Sequence, residues 1–179
     1  STLVANQLTF IVHDIGYNSN KVEHLLIEII PGKYLKDSIF ILNIYSSPND
    51  HKQRFTNVIN KAVSRAKACP LLVAGDCNAP HQAWGYPQSR LKGVDLWQVT
   101  TNHNLLLLTD PAFPTRIGNS CTRDTTPDLC FVRGFKSASW TNLNENLGSD
   151  HNMMATTLEI GYKPLREFVV TDWEAFRKI

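Results

Sequence analysis

Two long apolar runs joined by a single helical stripe constrain this chain more than any other feature. Ile39–Tyr45 (IFILNIY) is rich in β-branched and aromatic residues and reads as a strong, largely buried strand. Ser46-Ser47-Pro48 ends it. Phe55, Val58, Ile59, Ala62, Val63 and Ala66 then recur at three- and four-residue spacing, one apolar helical stripe, while Arg54, Asn57, Lys61 and Arg65 lie off it. Asn49 or Asp50 is the expected helix cap. Pro70 stops the helix, and Leu71-Leu72-Val73-Ala74 starts a second buried strand. Strand, helix and strand in so short a span predict a crossover unit.

Further strands are expected on both sides. Ser1–Ile15 is strand material, Asp14–Lys21 a loop, His24–Ile30 (HLLIEII) a strong strand and Pro31-Gly32 a turn. Leu91–Asn102 is a second helix, Leu105–Leu108 a short strand, and Pro111 and Pro114 mark a loop. Asp128–Val132 opens on its carboxylate. Lys136–Leu147 fits two short strands or one bent one, and Met153–Ile160 is the last strand. Tyr162–Ile179 changes character and reads as a linker or tail helix. A chain of 179 residues is most simply one domain with a real core. Apolar content of 42% and charged content of 19% are those of a folded soluble protein. The net charge of +2 permits nucleic acid as a partner without demonstrating it. Cys69, Cys77, Cys121 and Cys130 form no Cys-x-x-Cys pair, which favours free thiols in a reducing compartment. Cys77 and His81 lack the second close pair that a zinc site needs. No apolar run approaches the roughly 20 residues of a membrane span.

Polar groups gather where strands end. Leu71–Ala74 stops at Gly75, and Asp76, Asn78 and His81 follow. Sheet enzymes hold reactive groups at such ends. Gly75 allows a sharp turn or a close backbone approach. Asp76 offers a carboxylate to orient a water or hold a cation, and Asn78 an amide for a phosphate oxygen. The plain alternative for the stretch is an Asx-type turn. Tyr45 closes one strand, Asp128 opens another, and Asp150-His151 precedes the last. Each has a structural alternative, as rim aromatic, solvated turn residue or cap. Brought together in one sheet they make the set that phosphodiester hydrolysis needs: a carboxylate for water, neutral donors and a cation for phosphoryl charge, and a carboxylate-oriented imidazole.

Asn43-Ile44-Tyr45 with Pro48, Gly75-Asp76-Cys77-Asn78, Thr126-Pro127-Asp128-Leu129 and Ser149-Asp150-His151 fall in the order and approximate spacing of the endonuclease/exonuclease/phosphatase superfamily, which the chain resembles. Asn78-Ala79-Pro80-His81 leading to Trp84-Gly85, Leu147–His151, and the tail Thr171–Phe176 are similar to the apurinic-type endonuclease domain of LINE-like (non-LTR) retrotransposons. The resemblance implies an α+β fold, a two-layered β-sandwich flanked by helices over residues 1–162. It implies a tail at 163–179 that leads toward a reverse transcriptase. It implies an intracellular enzyme that nicks chromosomal DNA in the nucleus with Mg²⁺ or Mn²⁺ and leaves a 3′-hydroxyl to prime reverse transcription. Asp76 would orient or deprotonate water, Asn78 would position water and phosphate, and Tyr45 would donate to a phosphoryl oxygen. Asp150 would serve the metal site. His151 would contact the scissile phosphate, with Asp128 on its other nitrogen.

The family begins with two further strands, the first with an Asn and the second with a Glu that ligates metal. Ser1–Val4 resembles the strand after these, so the fold is expected to lack its first two strands, with consequences for the activity of this chain. Two other functions stay open: a phosphatase or lipid phosphodiesterase of the same superfamily, and a non-catalytic nucleic-acid-binding remnant.

Overall fold

The computed structural model describes residues 2–16, 22–32 and 35–161. The expected tail, 163–179, lies outside the described residues. The elements in chain order are β1 (Phe10–His13), β2 (Glu23–Ile29), β3 (Ile39–Tyr45), α1 (Thr56–Ala66), β4 (Leu71–Asp76), α2 (Leu91–Asn102), β5 (Leu106–Leu107), β6 (Asp128–Arg133), β7 (Ser137–Asn142) and β8 (Met154–Glu159). The first six strands in space form one mixed sheet in the order β1-β2-β3-β4-β6-β5, and β7 and β8 form a second, two-stranded sheet. The β3–α1–β4 crossover makes β3 and β4 parallel neighbours, Phe40 opposite Leu71 and Tyr45 opposite Asp76. The other pairs in the six-stranded sheet are antiparallel. This is the α+β architecture expected from the sequence.

Side-chain alternation divides the sheet into two faces. Leu26, Phe40, Leu42, Ile44, Leu71, Val73, Leu129 and Phe131 point to one face, where Phe55, Val58, Ile59 and Ala62 of the α1 stripe and Leu96 and Val99 of α2 cover them. Each fully buried Leu or Ile there stabilises the fold by about 1.5–3 kcal/mol. The other face holds a smaller cluster around Ile27, Ile29 and Ile39. The β7–β8 pair meets this second face, where the Cys130 thiol lies 3.5 Å from the Thr156 hydroxyl. The register places Tyr45, Asp76 and Asp128 at one end of that same face.

Three local expectations differ. Leu3-Val4 is irregular, and the first strand is Phe10–His13 at the sheet edge. Gly75 and Asp76 do not follow β4 but end it. The cap of α1 is neither Asn49 nor Asp50. Asp50 is spent on its own turn, where its carboxylate accepts from the Lys52 N–H at 3.1 Å. The helix starts at Thr56, behind a buried Phe55 that has no capping side chain. Asp95 of α2 supplies the acceptor instead. Its carboxylate takes the Phe55 N–H at 2.6 Å, the Thr56 N–H at 3.2 Å and the Thr56 hydroxyl at 2.6 Å. One side chain thus satisfies the first turn of α1 and ties the two helices together. Replacing Asp95 by Ala is expected to lower unfolding stability by about 1–2 kcal/mol. Urea titration checks this, and a midpoint equal to that of the unaltered chain would show the cap to be idle.

Candidate active site

Gly75 explains how the polar end of the sheet is built. Its φ is +147°. A Cβ placed on it would lie 1.9 Å from the Ile44 carbonyl oxygen. A side chain there would drive β4 off β3, so the close approach is to a neighbouring strand, and only glycine permits it. Beyond it the Ser46 N–H donates to the Asp76 carbonyl and the Cys77 N–H to the Pro127 carbonyl, each at 2.9 Å. The end of β4 is therefore pinned on both sides. Asn78 follows in the left-handed region, φ +44°, a conformation that Asn tolerates better than most residues. From there its amide donates to the Asp76 carboxylate at 2.6 Å and to the Ser46 carbonyl at 3.2 Å.

Asp128 stands opposite Asp76 in the β4–β6 register. Its Oδ2 lies 2.8 Å from the His151 Nδ1 and accepts the Thr115 hydroxyl at 2.8 Å. The Asp128 N–H donates back to that hydroxyl oxygen at 3.2 Å. A carboxylate that only accepts assigns the His151 proton to Nδ1 and makes Nε2 the acceptor nitrogen. His151 is brought in by the backbone around Thr115, through an isolated bridge between Arg116 and His151. The Ile117 N–H donates to the Asp150 carbonyl and the Asn152 N–H to the Thr115 carbonyl, both at 2.8 Å.

Of the residues singled out from sequence, Asp76, Asn78, Asp128 and His151 come together. Tyr45 shares their end of the sheet through its register with Asp76 and is 45% exposed. Asp150 sits beside His151 in sequence, but its carboxylate turns to Arg116, Nε at 2.7 Å. The arginine holds it below the usual carboxylate range. His81 does not join the set. Its Nδ1 accepts from the Ala83 N–H at 3.1 Å, and its ring stacks on Trp97 at 5.5 Å between centroids. Cys77 is buried, and burial raises its thiol far above the ordinary value, which suits packing and not catalysis. All four cysteines are free thiols. Sequence reasoning did not find Thr115 or Arg116. Both follow Pro114 in a loop marked only by Pro111 and Pro114, and neither residue type carries a spacing signal.

Asp76, Asp128 and His151 offer ligand atoms that all lie within 4.8 Å of one another. Burial raises the Asp76 carboxyl above its ordinary value, and the Asp128 charge raises it further, against the opposing pull of His151, Asn78 and Lys92. Two half-buried carboxylates that repel are a donor set whose strain a divalent cation would relieve. The imidazole Nδ1 is already committed to Asp128, so the oxygens are the groups that fit such an ion. Among the described residues no helix is long and apolar enough to cross a membrane.

The profile of the endonuclease-reverse transcriptase family matches residues 39–155, and the chain belongs to that family. No curated protein matches the chain by sequence. Among solved structures it is similar to the endonuclease domain of TRAS1, a telomere-specific non-LTR retrotransposon. The TM-score is 0.66 at 18% identity, over 86% of this chain and 68% of the other. It is also similar to truncated Caenorhabditis elegans TDP2, with a TM-score of 0.50 at 14% identity, over 87% of this chain and 69% of the other. At these identities the likeness is one of fold, and the fold is that of the endonuclease/exonuclease/phosphatase group.

The raised Asp76 value has a consequence for stability. Between the unfolded and folded values the native state binds more protons, so stability falls as pH rises through that window. Above it the ionised group is a standing cost. Asp76→Asn keeps an acceptor for the Asn78 amide and removes the charge. In EDTA at neutral pH this variant is expected to melt above the unaltered chain. The difference should vanish below about pH 3.5, where unfolded Asp is itself protonated. A variant that melts lower at neutral pH would contradict the assignment.

Proposed function

We propose that this domain is a divalent-metal-dependent DNA-nicking endonuclease of a retrotransposon polyprotein, its cut leaving a 3′-hydroxyl that primes reverse transcription by an attached reverse transcriptase. The observation that carries the reading is the Asp128–His151 pair set against the Asp76–Asn78 pair at one sheet end, in a chain of the endonuclease-reverse transcriptase family. Asp76 takes the role of orienting the attacking water and accepting its proton, with one oxygen fixed by the Asn78 amide. His151, its Nδ1 held by Asp128, presents Nε2 to the scissile phosphate. Tyr45 is the neutral donor to a phosphoryl oxygen from the neighbouring strand. Asp76 and Asp128 would hold Mg²⁺ or Mn²⁺. Asp150 would join them on leaving its pair with Arg116. The ion, when bound, neutralises developing charge on the phosphoryl oxygens. The site of action in this reading is nuclear DNA.

Supercoiled plasmid with Mg²⁺ or Mn²⁺ tests the reading, using this chain and a version carrying the two strands that the family places first. Nicking is expected at least in the longer version. EDTA should abolish it, and His151→Ala or Asp76→Asn should slow it by at least about 100-fold. A folded longer version that leaves plasmid intact, or nicks equally without His151, overturns the proposal. Release of phosphate from monoester or lipid substrates in its place would favour the phosphatase alternative, and tight DNA binding alone the non-catalytic one.

A further inference from the structure

Beside the Asp76–Asn78 pair lies a cavity of about 1080 Å³, with Asn78 in its wall. Lys92, Arg90, Arg116, Arg123 and His51 also line it, and no Asp or Glu does among the described residues. Arg116 is paired with the Asp150 carboxylate at 2.7 Å, but a wall that also carries Lys92, Arg90 and Arg123 suits a polyanion. The unusual member is Lys92. It sits in the first turn of α2 and is only 3% exposed. Its ammonium donates to the Ser47 carbonyl at 2.8 Å. An ammonium carries three donors, and that carbonyl takes one. Burying a lysine is costly, and burial depresses its value here, against the raising effects of Cys77, Asp50 and Asp76.

The backbone keeps Lys92 in place. The Arg90 N–H donates to the Pro80 carbonyl at 2.9 Å. A Cβ on Gly93 would meet that same carbonyl oxygen at 2.0 Å. The start of α2 therefore rests directly on the loop that follows Asn78, and Lys92 reaches the turn after β3 that also accepts the Asn78 amide.

We infer that Lys92 is a phosphate-binding residue at the base of this cavity, taking a backbone phosphate of duplex DNA that flanks the scissile one. The inference rests on the nuclease reading and adds to it the direction in which the strand leaves the catalytic pair. Arg90 and Arg116 line the outer path of the same backbone.

The salt dependence of binding separates this from a purely structural lysine. A fluorescein-labelled duplex is titrated with the 179-residue chain in EDTA, with NaCl varied from roughly 50 to 200 mM. Each lost phosphate contact reduces the slope of log affinity against log salt by about 0.9. Lys92→Gln, which still carries a donor for Ser47, is expected to bind several-fold more weakly at low salt with a slope shallower by about 0.9. Lys92→Arg should restore the slope. A folded Lys92→Gln chain with the original slope overturns the inference, even if its melting temperature falls. Should the neutral variant fail to fold, the lysine ε-methylene NMR signals of the unaltered chain decide. The Lys92 signal is expected to shift on adding a short duplex, and a stationary signal overturns the inference. An unaltered chain that binds no duplex overturns the inference alone, while the nuclease reading stands or falls with plasmid nicking by the longer version, so that the two failures are distinguishable.

Discussion

The contact on which the rest depends is the approach of Gly75 to the Ile44 carbonyl. A parallel strand pair normally keeps a Cβ at every position. Here the absence of one lets β4 run close to β3 through its last residue. Asp76 is then a strand residue with fixed direction, on the face away from the helices. On the neighbouring strand β6, directly opposite in register, Asp128 takes the same direction. The helices have their own version of this economy. The short approach of Gly93 to Pro80 lays α2 on the site loop, and Asp95 from the same helix closes the start of α1. The β3–α1–β4 crossover, α2 and the site loop are thus held by a few contacts between close backbones.

The same arrangement stores electrostatic strain. Asp76 and Asp128 face each other in partial burial, and the charge of one raises the carboxyl of the other. Asn78, His151 and Lys92 offset part of the repulsion without cancelling it. Thr115 and His151 occupy one oxygen of Asp128, so that group is oriented as well as charged. Proteins commonly give up stability at sites that must bind cations and handle developing negative charge. The Arg116–Asp150 pair keeps a third carboxylate at the margin, on the exposed side of the cluster.

Much of this was legible in the chain itself. The α1 stripe, the span of α2 and the IFILNIY and LLVAGD strands follow from apolar period alone, and the crossover follows from their order. The four polar groups at strand ends were readable as a set because their spacing matches a known order. Other features have no local signature. A cap donated across space by Asp95 cannot be seen from the residues before Thr56. That Asp50 is consumed by its own turn is a fact of geometry. Leu3-Val4 is apolar enough for a strand, yet strand formation needs a partner, and pairing begins at Phe10 opposite Ile29. Thr115 matters only because three backbone segments meet there. Lys92, in a helix of modest amphipathicity, reads as a surface lysine until its burial is known.

The proposal that most of the chemistry rests on is a cation held by the Asp76 and Asp128 carboxylates, beside the His151 ring. Paramagnetic Mn²⁺ added in substoichiometric amounts to ¹⁵N-labelled protein tests it most directly. The amide signals around Asp76, Asn78, Asp128 and His151 are expected to broaden first and together, and Asp76→Asn to weaken the effect. Broadening that begins at other acidic groups, such as Asp14 and Glu28, or that spreads evenly over the surface, would contradict it.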